Sequence, residues 1–228
     1  MKINDFFEKG YYLNLDRRTD RKVEFEEEAS TLGLKEWFER FPGIDGESES
    51  YEYVLKSHEH PYIKKAAASS ESFYNLYKKA SESGYERVLI CEDDMLFYNH
   101  EAESGLQLVE KALDQLQQFP DWDLVYFGGH VKDKKAKQVS PNLLRADCMI
   151  TAHAVGYNKK SFEKLLKYVP RQDCIYDEWL SARSDIIKYL VYPMAVVQRA
   201  GKSDIDAWGY TANIEDWKRS YSAINIEK

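Results

Sequence analysis

Hydrophobic and polar residues recur along this chain in two rhythms, one of period two and one near 3.6. Phe7 to Leu15 follows the first. Tyr11, Leu13 and Leu15 alternate with Tyr12 and Asn14, and the polar group Asp16-Arg17-Arg18-Thr19-Asp20 ends the predicted strand. Thr19 or Asp20 is the expected cap of a helix running to about Leu32, with Val23, Phe25, Ala29 and Leu32 on an incomplete apolar stripe and Gly33 as its stop. Trp37 to Phe41 predicts a short strand before the turn Pro42-Gly43-Ile44-Asp45-Gly46. Residues 43 to 62 carry no periodicity, which at that length indicates disorder or a functional surface loop.

Helical spacing returns from Lys64 to Glu82 through Ala67, Phe73, Leu76, Tyr77 and Ala80, with Gly84 beyond the end. Arg87 to Cys91 is a short strand of the buried type that runs directly into Glu92-Asp93-Asp94. A helix over roughly Glu101 to Gln118 and a strand from Trp122 to Phe127, ended by Gly128-Gly129, come next. Lys132 to Gln138 predicts a polar hairpin or loop, Cys148 to Tyr157 a strand region, and Lys160–Tyr168 and Tyr176–Ser184 two helices. Val191 to Ala200 is expected to rejoin the sheet, and Thr211 to Lys228 forms a weakly helical tail that docks or frays. Alternating strands and helices predict one α/β domain over residues 1–228: helices flanking a Rossmann-like, mixed but mainly parallel sheet, with the antiparallel strands in the second half.

Composition narrows the function. The chain has 228 residues, 43% hydrophobic, enough for a single continuous core. Its 39 acidic and 32 basic residues give a net charge of -7, so no broad basic surface is available for nucleic acid or anionic lipid. The longest uncharged apolar run, Tyr189 to Val197, contains Pro193 and falls far short of the roughly 20 residues a membrane span requires. Met1 to Glu8 lacks an apolar signal-peptide core, which points to a cytoplasmic chain or a trimmed domain. Cys91, Cys148 and Cys174 are odd in number and lack metal-ligand spacing, so free thiols are expected.

Three polar clusters follow predicted strands, where open α/β sheets bind ligands. Asn14 through Lys22 gathers positive charge at a strand-to-helix turn, suited either to a phosphate or to a solvated helix start. Glu92-Asp93-Asp94 offers hard oxygen ligands for Mg2+ or Mn2+; extended geometry would set Glu92 and Asp94 on one side and Asp93 on the other. Tyr176-Asp177-Glu178-Trp179 pairs two carboxylates with aromatic rings, which suits a general base beside a sugar, or simply a helix start with its Trp in the core. His58-Glu59-His60 reads as a surface accident rather than a zinc site, and His153 as a satisfied core histidine.

Taken in order, Tyr12-Leu13-Asn14-Leu15-Asp16-Arg17-Arg18-Thr19-Asp20-Arg21, Arg40-Phe41-Pro42-Gly43-Ile44-Asp45-Gly46, Val88 through Asp94, Ala152-His153-Ala154, Asp177-Glu178 and Gln198 through Ile205 resemble glycosyltransferase family 25. This group contains lipooligosaccharide and collagen galactosyltransferases. The resemblance covers roughly residues 9 to 206, leaving 207–228 as a C-terminal extension. It implies a GT-A fold and an inverting, metal-dependent hexosyltransferase moving a sugar, galactose first, from a UDP-sugar to a glycan, glycoprotein or lipooligosaccharide acceptor. Leu13, Asn14, Arg17, Arg18, Asp45, Ser72, Asp93 and Ser203 would contact the donor. Asp94, Glu92 and Asp204 would hold Mn2+ or Mg2+, and Asp177, with Glu178 second, would act as base. The family often carries Ser-His before the acidic motif; here the match is Ser72-Phe73. That departure supports an alternative, a catalytically degenerate nucleotide-sugar or carbohydrate-binding module. A metal-dependent phosphoesterase lacks a second carboxylate and histidine set.

Overall fold

The computed structural model describes residues 1–51, 61–167, 176–205 and 211–227, so His58, Glu59, His60 and Cys174 lie outside the described residues. One turn of helix, α1 (Ile3–Phe6), precedes β1 (Lys9–Asn14), α2 (Thr19–Thr31) and β2 (Phe38–Pro42). α3 (Pro61–Glu82) leads to β3 (Arg87–Glu92), β4 (Met95–Phe97), α4 (Gly105–Leu116), β5 (Leu124–Tyr126) and β6 (His130–Val131). Then come β7 (Lys135–Ser140), β8 (Leu143–Arg145), β9 (Met149–Ile150), β10 (Ala154–Asn158), α5 (Lys159–Leu165) and α6 (Tyr176–Ser181). β11 (Lys188–Val191), β12 (Val196–Gln198), β13 (Gly201–Lys202), β14 (Thr211–Ala212), α7 (Ile214–Ser222) and β15 (Asn225–Glu227) follow.

Nine strands form the central sheet in the order β15-β7-β8-β11-β5-β10-β3-β1-β2. β8 and β10 run against their neighbours. The others share one direction, giving the mixed, mainly parallel sheet that the sequence predicts, with both antiparallel strands in the second half. Alternation along the strands divides the core into two layers. Tyr11, Leu13, Val88, Ile90, Tyr126 and Tyr157 face α3, α5, α6 and α7 through Phe73, Tyr77, Phe162, Leu180 and Trp217. Tyr12, Leu89, Cys91 and Val125 face α1, α2 and α4 through Phe6, Phe25, Leu108 and Leu113. Every second side chain of a buried strand serves one layer, so both layers are apolar and the strands read as nearly continuous hydrophobic runs.

Several expectations need adjustment. The N-cap of α2 is Arg18, with no side-chain cap; Thr19 and Asp20 already lie inside the first turn. Val23 is 55% exposed, so the buried stripe of α2 narrows to Phe25 and Ala29. Gly33 does end the helix, at φ +70°, with its N–H on Ser30 O (3.0 Å) and that of Leu34 on Ala29 O (2.8 Å), the paired bonds of a Schellman cap. α4 starts later than expected because Ser104 and Gln107 form a reciprocal capping box. The strand region from Cys148 is broken at Thr151, whose φ of 69° leaves β9 and β10 in different sheets. β11 ends at Val191, and β12 pairs with β4 rather than rejoining the large sheet. The tail docks. Trp217 of α7 is fully buried, and β15 extends the sheet beside β7, which forms a hairpin with β8 where a polar hairpin or loop over Lys132 to Gln138 was expected. Among the described residues, no helix is long and apolar enough to cross a membrane.

Candidate functional site

β1, β2 and β3 are parallel and in register, Leu13 opposite both Phe41 and Glu92, so their carboxyl ends deliver three loops to one edge of the sheet. A cavity of about 530 Å³ opens there. Leu13, Asn14, Arg17 and Asp45 reach it from the ends of β1 and β2, and Ser72 reaches it from α3. Glu92, Asp93 and Asp94 line it from the end of β3, Asp177 from α6, and Ser203 and Asp204 from the segment after β13. Arg18 and Glu178 do not line it.

At the β1 end, Asn14 is 2% exposed and organises the turn. Its amide nitrogen donates to Asp93 Oδ2 (2.8 Å) and Arg18 O (3.0 Å), and its Oδ1 accepts from Arg40 Nε (2.8 Å). Arg17 Nε donates to Asp45 Oδ2 (2.6 Å) and its Nη1 to Asp204 Oδ1 (2.8 Å). Arg18 reaches Asp20 and Asp204. Arg21 Nη1 lies between Asp93 Oδ1 (3.1 Å) and Asp94 Oδ2 (3.2 Å), and its Nη2 donates to Lys202 O (2.9 Å). The expected patch of free positive charge is therefore an ion-pair network, and Asp204 belongs with these arginines rather than with Glu92 and Asp94.

At the β3 end the charge is less well met. Strand geometry stops at Glu92, and Asp93 and Asp94 occupy a turn, so the expected alternation does not extend through the triplet. The adjacent pair Asp93–Asp94 shares Arg21, whereas Glu92 Oε2 meets Gln198 Nε2 at 3.4 Å. Asp94 Oδ1 is buried without a hydrogen-bond partner, a deficit that costs about 1–3 kcal/mol when nothing else fills it. Burial pushes Asp94 up to about 6. Burial, reinforced by the charges of Asp94, Asp93 and Asp177, raises Glu92 well above the usual carboxylate range. Burial also raises Asp93, against the donors Asn14 and Arg21. Among the described residues, no group of three or more His, Cys, Asp or Glu side chains forms a ready metal cage.

The matched segments settle the family. Residues 7–174 fit the model for "Glycosyltransferase family 25 (LPS biosynthesis protein)". The chain belongs to glycosyltransferase family 25. A "Glycosyltransferase 25 family member" of Anopheles gambiae is 26% identical over 191 residues, covering 77% of this chain and 31% of that protein. One from Aedes aegypti is 30% identical over 130 residues, covering 52% and 20%. The chain thus spans less than a third of the length of these relatives. Among solved structures, UDP-glucose pyrophosphorylase complexed with UDP-glucose is 12% identical, covers 94% of this chain and 81% of its own, and superposes with a TM-score of 0.44. Mannose-1-phosphate geranyltransferase from Thermus thermophilus is 9% identical, with coverages of 82% and 60% and a TM-score of 0.37. Likenesses this distant carry no functional weight.

Within this family 25 chain the two base candidates separate. Asp177 opens α6 and faces the cavity, and burial raises its carboxyl. Glu178 turns out of the cavity to pair with Lys132. Tyr176, next to Asp177, is held by the Tyr77 hydroxyl (2.6 Å) and by stacking on Phe73 at 5.5 Å between ring centroids. Phe73, standing where the family often has histidine, therefore lines the cavity and packs the wall that carries Asp177. Ser72 Oγ accepts from Ile44 N (2.8 Å) and donates to Ala68 O (2.7 Å), anchoring the Gly43–Gly46 turn to α3 rather than standing free. Ser203 Oγ accepts from Ile205 N at 3.2 Å. His153 is fully buried, as read from the sequence, but its Nδ1 has no partner, so it is less well satisfied than expected.

Several contributors lie beyond the sequence assignments, Arg21, Thr151 and Lys65 among them. Arg21 counted only as local positive charge, although it bridges two of the three acids. Thr151 enters the cavity through its left-handed backbone, which no local signal marks. Lys65 also lines the cavity and pairs with Glu47. Its signal was available: residues 65, 69 and 72 lie at i, i+4 and i+7 on one face of α3, and all three line the cavity.

Proposed function

We propose that this chain transfers a hexose, galactose first among candidates, from a UDP-sugar to a hydroxyl of a glycan, glycoprotein or lipooligosaccharide, with inversion and with Mn2+ or Mg2+ bound. The observation that carries the reading is the convergence, in one cavity, of the Asn14–Arg21 turn, the Glu92–Asp94 acids and Asp177. The donor set fits a hard cation. Asp94 Oδ1 is buried and unpartnered, and Glu92 and Asp94 carry more negative charge than their surroundings compensate. Mg2+ and Mn2+ commonly take one or two carboxylates and complete their shell with water and substrate phosphate, so a full protein cage is not required. Asp94 and Glu92 would hold the ion, with Asp93 oriented behind them by Asn14. When bound, the ion supplies neutralisation of the charge on the departing diphosphate.

The chain's own groups do the rest. Arg17, which lines the cavity, orients the diphosphate through its Nη1, and Arg18 adds its Nη1 from beside the cavity. The acceptor oxygen forms a bond to the anomeric carbon as the bond from that carbon to the β-phosphate oxygen breaks, and UDP leaves. The acceptor proton passes to the Asp177 carboxylate, whose raised proton affinity suits a base better than an ordinary aspartate's. The test is UDP release from a panel of nucleotide sugars with Mn2+ and simple acceptor glycosides. The reading expects metal-dependent release with UDP-sugars and little with GDP- or CMP-sugars. Saturable UDP-sugar binding without hydrolysis or transfer to any acceptor would instead favour the degenerate binding module.

A further inference from the structure

Arg17, Arg18 and Arg21 project from one strand-to-helix turn, and a single carboxylate from far along the chain meets all three. Asp204 Oδ1 accepts from Arg17 Nη1 at 2.8 Å. Its Oδ2 makes a short contact with Arg18 Nη1 and lies 3.7 Å from Arg21 Nη1. The remaining edges of these guanidiniums are held by other groups. Asp45 takes Arg17 Nε, Asp20 takes Arg18 Nε and Nη2, and Lys202 O takes Arg21 Nη2. Those contacts fix each guanidinium in place and turn Nη1 of Arg17 and of Arg18 onto one point beside the cavity, with Arg21 Nη1 close by but already bonded to Asp93 and Asp94. That point holds an oxyanion, and here the oxyanion is the protein's own.

We propose that Asp204 is an internal competitor for the donor's diphosphate. In the donor-free protein its carboxylate occupies the oxyanion position built by Arg17 and Arg18, with the Arg21 charge 3.7 Å away, and donor binding displaces it. This rests on the reading of the cavity as a UDP-sugar site. Carboxylate and phosphate oxygens both accept charge-assisted hydrogen bonds from guanidinium N–H groups, and Asp204 takes one from Nη1 of Arg17 and one from Nη1 of Arg18, so phosphate oxygens substitute for its own without moving the arginines. Asp204 sits just after the two-residue strand β13, on a turn closed by Ile205 N and Ser203 Oγ (3.2 Å), and not inside a long element whose packing would hold it. Apparent donor affinity is then the intrinsic affinity reduced by the fraction of molecules in which Asp204 has withdrawn. The occupied state has a use: it keeps Nη1 of Arg17 and of Arg18 satisfied and oriented when no donor is present.

This assignment is opposite in sign to a metal-ligand role for the same residue. Removing a metal ligand weakens nucleotide binding, whereas removing a competitor strengthens it. The experiment is calorimetric titration of pyrophosphate, and separately of UDP, into the wild-type chain and Asp204→Asn, without metal and at low ionic strength. Asp204→Ala is a second variant lacking the amide. Asp20→Asn is the control, because it removes the same charge from the outer side of Arg18. The proposal expects Asp204→Asn and Asp204→Ala to bind pyrophosphate about 3- to 10-fold more tightly, and Asp20→Asn to change by less than about twofold. Unchanged or weaker binding in both Asp204 variants overturns it. Equal tightening by Asp20→Asn also overturns it, since the effect is then bulk charge. UDP-sugar turnover, measured beside the titrations, separates the two readings. Tightened pyrophosphate binding with no turnover by the wild type sinks the transferase reading and leaves the competitor standing, while turnover with no tightening does the reverse.

Discussion

The two charged ends of the cavity differ in how completely their charges are met. At the β1 end, Arg17, Arg18 and Arg21 find Asp45, Asp20, Asp204, Asp93 and Asp94, and despite partial burial the arginines are held more firmly protonated than usual by those hydrogen bonds and charges. At the β3 end, three carboxylates share one guanidinium, an amide from Asn14 and a long contact from Gln198, and one buried oxygen has no partner at all. Both ends are built from adjacent charged residues at a strand terminus. The difference teaches that clustered charge by itself says little. A saturated cluster is explained by its own contacts, whereas an under-compensated one keeps an acceptor unmet.

Breaking the base comes first in expected size. Asp177→Asn keeps the shape of α6 but removes the proposed proton acceptor, and should lower transfer by about 100- to 10,000-fold with UDP-sugar affinity nearly unchanged, as read by UDP release and calorimetry. Glu178→Gln, which loses only the exposed pair with Lys132, should stay close to wild-type turnover; an equal loss in both variants would move the base to Glu178. Next is the under-compensated end. Asp94→Asn should reduce transfer by about 100- to 1,000-fold. Its metal-free melting temperature should change little, because Arg21 keeps Asp93 and the side chain removed is a buried, partly unmet charge. A large drop in melting temperature would show that Asp94 is a structural pair for Arg21.

The saturated end should respond weakly. Asp45→Asn removes one partner of Arg17, itself 37% exposed, and should cost about 1 kcal/mol or less in denaturant unfolding. Away from the site, Lys188 is a buried ion that is well met: its ammonium donates to Arg183 O (2.7 Å) and Asp147 O (2.9 Å), yet burial still lowers its pKa to about 8. The folded state then gives up this proton more readily than the unfolded one, so the unfolded chain binds more protons between about pH 8 and 10.4 and stability contributed by this group rises with pH across that window. Lys188→Met should abolish that rise. Its persistence in the variant would assign it to other groups.

What the sequence made legible follows the same division. Local signals worked where the physics is local. Gly33 and Gly84 adopt the positive φ that ends helices, the Val88–Cys91 run is a central strand, and all but two of the assigned site residues line one cavity. The failures came from partners distant along the chain. That Glu178 belongs to Lys132, that Asp204 belongs to three arginines, and that Arg21 sits between two acids are facts of tertiary assembly with no periodicity to announce them. Alternation misled at Glu92-Asp93-Asp94 because it presumes a strand, and the strand stops at the first of the three. The tail is ambiguous in sequence because β15 is only three residues long and pairs with β7, some ninety residues earlier in the chain.

We propose that the acids at the end of β3 are completed by a divalent cation that also meets the donor's diphosphate. The most direct measurement is UDP affinity with and without Mn2+, in the wild-type chain and in Asp94→Asn. The account predicts that Mn2+ tightens UDP binding by about tenfold or more in the wild type and has little effect in the variant. Equal UDP affinity with and without Mn2+ in the wild type would contradict it.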